Sequence, residues 1–355
     1  MNLLLKIPLV AGCALTLVDV LIILIFYSSN GSMRRLRAFE FFVMALVLGV
    51  VICFCIQLSL IKDTHVGEVF KGYLPSSAVI KGQGLYLSCG ILGATVMPHS
   101  LYLGSGIVQA RLRDFDTTAG HFETPSTAVI LDDKSVYRPS LAAIKSCLNY
   151  SIVELAMSLF TFALFVNSAI LIVAGASLSS TPGAESADLF GVHDLLSKSL
   201  APAAGTLFAL ALLLSGTSAG IVCTIAGQMV SEGALNWTTT PWVRRLITRS
   251  ISITPSIIVA GAVGKEGLSA ALNGTQVALS VILPCVSAPL IYFTCRNRYM
   301  TVNDARGEEG EDVAEAVEGV KMGNHWAACV LALLIWLVLV IMNVSLLVLV
   351  FMGKA

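Results

Sequence analysis

The sequence predicts an all-α integral membrane protein that crosses the bilayer about eight times. Three observations carry that reading. Of its 355 residues, 56% are hydrophobic and only 12% are charged, where soluble domains carry about 25% charged residues. The mean hydropathy is +0.84. The apolar residues also gather into runs of about 20, the length a helix needs to span hydrocarbon. The formal net charge is zero, so nothing implies a basic surface for nucleic acid.

The first span, 3–27, holds one early charge, Lys6, and no small-residue cleavage site, so it reads as a membrane helix rather than a leader. The second, 37–60, follows Arg34, Arg35 and Arg37. The third, 85–110, is apolar but interrupted by Pro98. A polar, flexible segment over 114–139 leads to the fourth span, 142–177. A short surface helix is expected over 188–196, ahead of the fifth span, 201–230. The sixth, 241–263, carries Arg249, and the seventh, 267–295, carries Gln276 and Pro284. An acidic stretch, 303–321, reads as a solvated cytoplasmic linker before the eighth span, 326–352. Odd-numbered loops with their flanks hold fourteen lysines and arginines, and even-numbered loops hold five. That asymmetry places the odd loops in the cytoplasm.

The nine cysteines lie mostly in apolar runs without a C-x-x-C pair, and read as reduced small hydrophobes. No His-Glu-x-x-His, Ser/His pair or paired-Asp motif falls in the spans, so the sequence points away from an enzyme.

The most informative stretch is 93–100, Gly-Ala-Thr-Val-Met-Pro-His-Ser. Pro98 has no N–H to bond the carbonyl four residues back, which belongs to Ala94. Broken backbone at membrane depth persists only where it is buried or lines a cavity, and transporters bind ions there. Ala94 and Met97 are three apart and would share a face on a helical stretch. A free carbonyl and a thioether together suit a transition metal better than calcium or magnesium. On spacing alone Met97 could equally fill a gap in the core. His99 lies about 200° around a helix from Met97, so it is expected to point away from such a metal. Gln276 is an amide in an apolar helix, either a metal ligand through its carbonyl or an interhelical hydrogen-bond partner, and Asn167 is a similar buried amide that reads as a gating or interhelical hydrogen bond.

These segments resemble the Nramp family of proton-coupled manganese and iron transporters. The stretch from Gly90 to Ser105, followed by Val108-Gln-Ala-Arg111, resembles the family's sixth transmembrane helix, in the Met-Pro-His-Ser-Leu-Tyr-Leu-Gly-Ser form of fungal members. Asn2 to Gly12 is similar to the family's third-to-fourth helix junction, and Leu36 to Phe42 to the start of its fifth helix. Glu154-Leu-Ala and the run from Leu164 to Ala174 resemble the seventh, and Gln276-Val277 through Leu283-Pro284 the tenth. Where the general family pattern has Asn after Pro-His, this chain has Ser100.

The resemblance implies a LeuT-type fold, two inverted five-helix repeats with substrate between them. It implies metal ligands at the Ala94 carbonyl, Met97 and Gln276, a proton pathway through His99 and Arg249, and gating or helix packing at Asn167 and Pro98. The transported substrate would be Mn²⁺ or Fe²⁺, with no separate cofactor. The setting would be the lipid bilayer of a plasma membrane or an endosomal or vacuolar membrane.

Against the family pattern, the chain starts at the end of the third helix. The first two helices, most of the third, and the Asp-Pro-Gly-Asn motif of the first have no counterpart in the sequence. The expectation is that the chain alone does not support coupled uptake. The alternative is a non-transporting partner or regulator of a full-length relative.

Overall fold

The computed structural model describes residues 1–25, 33–61, 64–79, 84–120, 137–178, 181–184, 187–235, 241–302 and 319–352. Helices dominate, as the apolar runs require. A chain in hydrocarbon must satisfy its own backbone groups, and a helix does so within one segment. Among the described residues, six helical stretches are long and apolar enough to cross a membrane: Arg37–Ser59, Gly84–Thr118, Leu141–Leu178, Pro202–Ser231, Gly267–Thr294 and Trp326–Phe351.

The first expected span is broken near its start, whereas helix α11 (Pro241–Ala262) covers the sixth. Helix α1 (Asn2–Leu5) is closed by Lys6 in the left-handed region at φ 54°, and Pro8 prevents its continuation into α2 (Leu9–Ile25). Among the described residues, Leu9–Ile22 and Leu246–Ala262 are shorter apolar stretches within α2 and α11. Residues 303–318 of the acidic stretch, and 121–136 of the polar loop, lie outside the described residues.

The chain divides into two compact units. The first comprises Met1–Ser76 and Ile152–Leu272. Its centre is α10 (Pro202–Leu235), which packs against α3 (Met33–Ser59), α9 (Leu189–Ser199), α2 and α11 (Pro241–Ala262). The core joins Val50, Cys53 and Phe54 of α3, Ala169 and Val173 of α8 (Leu164–Leu178), Leu196 of α9, and Ala204, Phe208 and Ala211 of α10.

Asp188 caps α9 by accepting the Gly191 N–H at 2.7 Å. This helix is no free surface helix. Leu196 is buried, and a Cβ at Gly205 would stand 2.0 Å from the Ser197 hydroxyl and 2.6 Å from the His193 carbonyl. Glycine there lets α9 and α10 touch backbone to backbone.

The second unit comprises Ser77–Ser151 and Asn273–Ala355. It holds α5 (Gly84–Thr95), α6 (Pro98–Thr118), the start of α7 (Leu141–Ser158), most of α12 (Gly264–Thr294) and α13 (Trp326–Phe351). Leu85 and Cys89 of α5 meet Leu346 of α13 in its core, with Val277 and Met342 packed against them. Two short strands, β1 (Thr301–Val302) and β2 (Val320–Lys321), pair antiparallel and gather the chain on either side of the acidic stretch. Between α7 and α8 lies one π turn, Leu159–Ala163.

Candidate metal site at the helix break

Helix α5 ends where the proline demands. The Val96 N–H still bonds the Leu92 carbonyl at 2.9 Å, but Met97 is extended (φ −73°, ψ 126°) and caps α6, whose first residue is Pro98. Proline suits that position because its missing N–H would have no partner there. The first helical bond beyond the break runs from the Ser100 N–H to the Met97 carbonyl at 3.0 Å. The extended Met97 changes one expectation. Ala94 and Met97 do not lie on one continuous helical face, because α5 ends at Thr95 and Met97 stands outside both helices.

The break is set against α12 by an unusually close approach. A Cβ at the buried Gly93 would stand 1.9 Å from the Gln276 carbonyl oxygen and 2.8 Å from the Ser280 nitrogen. Only glycine lets the two backbones come so near. Gln276 is thereby held beside the last turn of α5. Its side-chain oxygen Oε1 is buried and has no hydrogen-bond partner among the described residues. An unpaired buried amide oxygen is costly unless something else satisfies it. Among the described residues, no group of three His, Cys, Asp or Glu stands together. The residues expected as ligands, Ala94, Met97 and Gln276, carry a backbone carbonyl, a thioether and an amide oxygen. His99 occupies the second position of α6, and its side chain lies outside the described residues.

Neighbouring helices brace α12 through polar contacts. Ser280, fully buried, donates its hydroxyl to Asn343 Oδ1 on α13 at 3.0 Å, and Asn343 Nδ2 donates to the Leu339 carbonyl at 2.9 Å. The Trp336 indole N–H donates to the Pro284 carbonyl at 2.9 Å, and the Tyr102 hydroxyl of α6 donates to the Val286 carbonyl at 2.8 Å. Pro284 and Pro289 both lie inside α12. They offer no N–H to the carbonyls four residues back, those of Ser280 and Cys285.

Two expected site residues belong to the first unit. The terminal Nη2 of Arg249 would lie 3.1 Å from a Cβ at Gly220 of α10, beside Val20 of α2, so glycine makes room for the guanidinium. Its Nε is buried without a hydrogen-bond partner among the described residues, and Cys223 is its electrostatic neighbour. Asn167, expected as a buried amide, is exposed on α8.

Sequence reasoning missed Asp116. Its carboxylate is fully buried near the end of α6 and accepts three hydrogen bonds, from the Tyr137 hydroxyl at 2.8 Å, the Ser140 N–H at 2.9 Å and the Ser140 hydroxyl. Ser140 in turn caps α7, accepting the Ala143 N–H at 3.1 Å. The chain on either side of residues 121–136 is thus tied together. A serine directly before a helical run is a legible cap, but nothing local pairs it with an aspartate earlier in the chain. Asp116→Asn keeps the shape while placing amide hydrogens toward those donors. It is expected to cost about 1–3 kcal/mol and to lower the thermal unfolding midpoint of the detergent-solubilised chain. An unchanged midpoint would show that the carboxylate is dispensable.

Comparison with known proteins follows this geometry. The family model described as natural resistance-associated macrophage protein-like (Nramp) matches residues 1–307. The manganese transporter SMF1 of Saccharomyces cerevisiae is 47% identical over 97% of this chain and 67% of its own length. The manganese transporter pdt1 of Schizosaccharomyces pombe is 50% identical over 99% of this chain and 66% of its own. The iron transporter SMF3 of Saccharomyces cerevisiae is 53% identical over 86% and 63%. A crystal structure of the manganese transporter of Eremococcus coleocola superposes with a TM-score of 0.67 at 25% identity, covering 96% of this chain and 65% of that one. The chain therefore spans about two thirds of the length of these relatives.

Proposed function

The chain belongs to the Nramp family and has the LeuT-like helical fold of its transporters, and from that premise we propose that it serves to move a divalent transition metal, manganese or iron, across a membrane with protons. The observation that carries this reading is the orphaned Gln276 oxygen beside a helix interrupted at Met97 and Pro98, all within one compact unit. The protein is integral to a membrane. The names of its relatives as manganese and iron transporters favour carriage over the role of a non-transporting partner.

In this reading the Ala94 carbonyl and Gln276 Oε1 supply hard oxygens, and Met97 supplies a soft sulfur. Calcium and magnesium prefer oxygen alone, whereas first-row transition metals accept the mixture. Pro98 fixes the break and serves as the hinge at which access to the site alternates. Asn167, exposed on α8, serves gating. His99 and Arg249 serve the proton route, His99 because imidazole titrates near physiological pH. Arg249 serves as a fixed positive charge, its guanidinium half-buried between helices.

Equilibrium binding of manganese to the purified chain tests this. Saturable binding that survives about a hundredfold excess of magnesium is expected from a sulfur-containing site, weakened by Gln276→Ala. Displacement of manganese by magnesium at comparable concentration would overturn the assignment.

A further inference from the structure

Two thiols meet at the neck of the connection between α12 and α13, away from the helix break. Cys295 directly follows α12, and Cys329 lies in the first turn of α13. Both are free and half-buried, and Cys295 is the side-chain neighbour of the Cys329 thiol. The surrounding backbone is pinned. The Asn324 N–H donates to the Thr294 carbonyl at 3.0 Å, and the Cys329 thiol lies 3.6 Å from the Asn324 carbonyl. The Gly323 N–H donates to Asn297 Oδ1 at 3.2 Å, and the Met322 N–H to the Met300 carbonyl at 2.8 Å. The β1–β2 pair closes the same neck.

We propose that Cys295 and Cys329 form a redox-responsive dithiol that closes to an intrachain disulfide on reaction with a small disulfide of the oxidised-glutathione class. The Asn324–Thr294 backbone bond and the Cys329–Asn324 contact hold the two thiols in the same neck, so side-chain rotation rather than backbone movement is what brings them to disulfide geometry. The Cys295 thiolate attacks one sulfur of the small disulfide, breaking its S–S bond. One small thiolate leaves and takes up the proton that Cys295 gave up. The Cys329 thiolate then attacks the Cys295 sulfur of the mixed disulfide and expels the second small thiol, protonated in the same way. Two cysteines lose two electrons, and one small disulfide becomes two thiols.

Lysine and arginine asymmetry puts this connection on the cytoplasmic side. There thiols are kept reduced, so the open dithiol is the resting form and closure marks an oxidising shift. Closure ties the end of α12 to the start of α13, the helix whose Trp336 and Asn343 already brace α12.

The test treats the full chain in native membranes with oxidised glutathione, traps remaining thiols with an alkylating reagent, and maps peptides by mass spectrometry. Two of the nine cysteines are expected to become unreactive in a single cross-linked peptide pair containing Cys295 and Cys329, restored by a reductant. Cys329→Ser is expected to leave Cys295 as a glutathione mixed disulfide, and Cys295→Ser to abolish the cross-link. The proposal is overturned if both thiols are glutathionylated separately in the unsubstituted chain, if either pairs with another cysteine, or if no 295–329 cross-link forms.

Discussion

Gly93→Ala is expected to cause the larger of two losses: the substituted chain should lose metal binding altogether and unfold at a lower temperature. The added methyl would stand 1.9 Å from the Gln276 carbonyl oxygen and 2.8 Å from the Ser280 nitrogen. Both obstacles are backbone, so no side-chain rotation relieves the clash. Either α5 or α12 must move by more than an ångström, and overpacking of that kind costs about 1–3 kcal/mol, occasionally more. Movement in either direction withdraws the Gln276 amide from the break and disturbs Ser280, whose hydroxyl is held by Asn343. Gly104→Ala is the matched control, because a Cβ at that glycine on α6 meets nothing within 4 Å. Thermal unfolding and manganese titration on the two variants separate a general intolerance of alanine from the specific contact. Equal behaviour of the two variants would remove the close approach from the account of the site.

Met97→Ala is expected to weaken cadmium binding about tenfold or more, ~1.4 kcal/mol, and manganese binding by less. The distinction follows from softness. A thioether contributes most to a soft cation and least to a hard one. Met97 is an extended cap between two helices rather than a buried core filler, so its removal should leave folding nearly intact. Titration of the two metals into the substituted chain, with circular dichroism as the check on helix content, reads both effects. Equal loss for both metals would indicate that the side chain supports the fold rather than coordinates.

Much of this arrangement was legible in the sequence because its cause is local. Pro98 lacks an N–H, so a break just before it follows from covalent structure, and α6 begins there. The short helix expected over 188–196 is also there, as α9, with Asp188 as its cap. What stayed hidden is contact between distant segments. Gly93 and Gln276 are far apart in sequence, and a glycine in an apolar helix carries no sign of which backbone it admits. The same holds for Gly205 against α9, which turned an expected surface helix into a packed one.

Asn167 was misread for a related reason. An amide among apolar residues suggests a buried hydrogen bond, but which side of a helix faces its neighbours depends on the neighbours. Asp116 was overlooked because its partners, Tyr137 and Ser140, lie across a loop whose composition suggests only flexibility.

The π turn at Leu159–Ala163 has a consequence for how such chains tolerate change in length. A π turn accommodates one residue more than ordinary α geometry. Deleting a single residue there would relax the turn to a regular helix while keeping α8 in its present angular phase. The same deletion elsewhere in that 38-residue stretch would swing everything downstream by about 100°. The wide turn is thus a slip joint, the one place along this transmembrane rod where evolution can remove a codon without turning the far half to face a different neighbour.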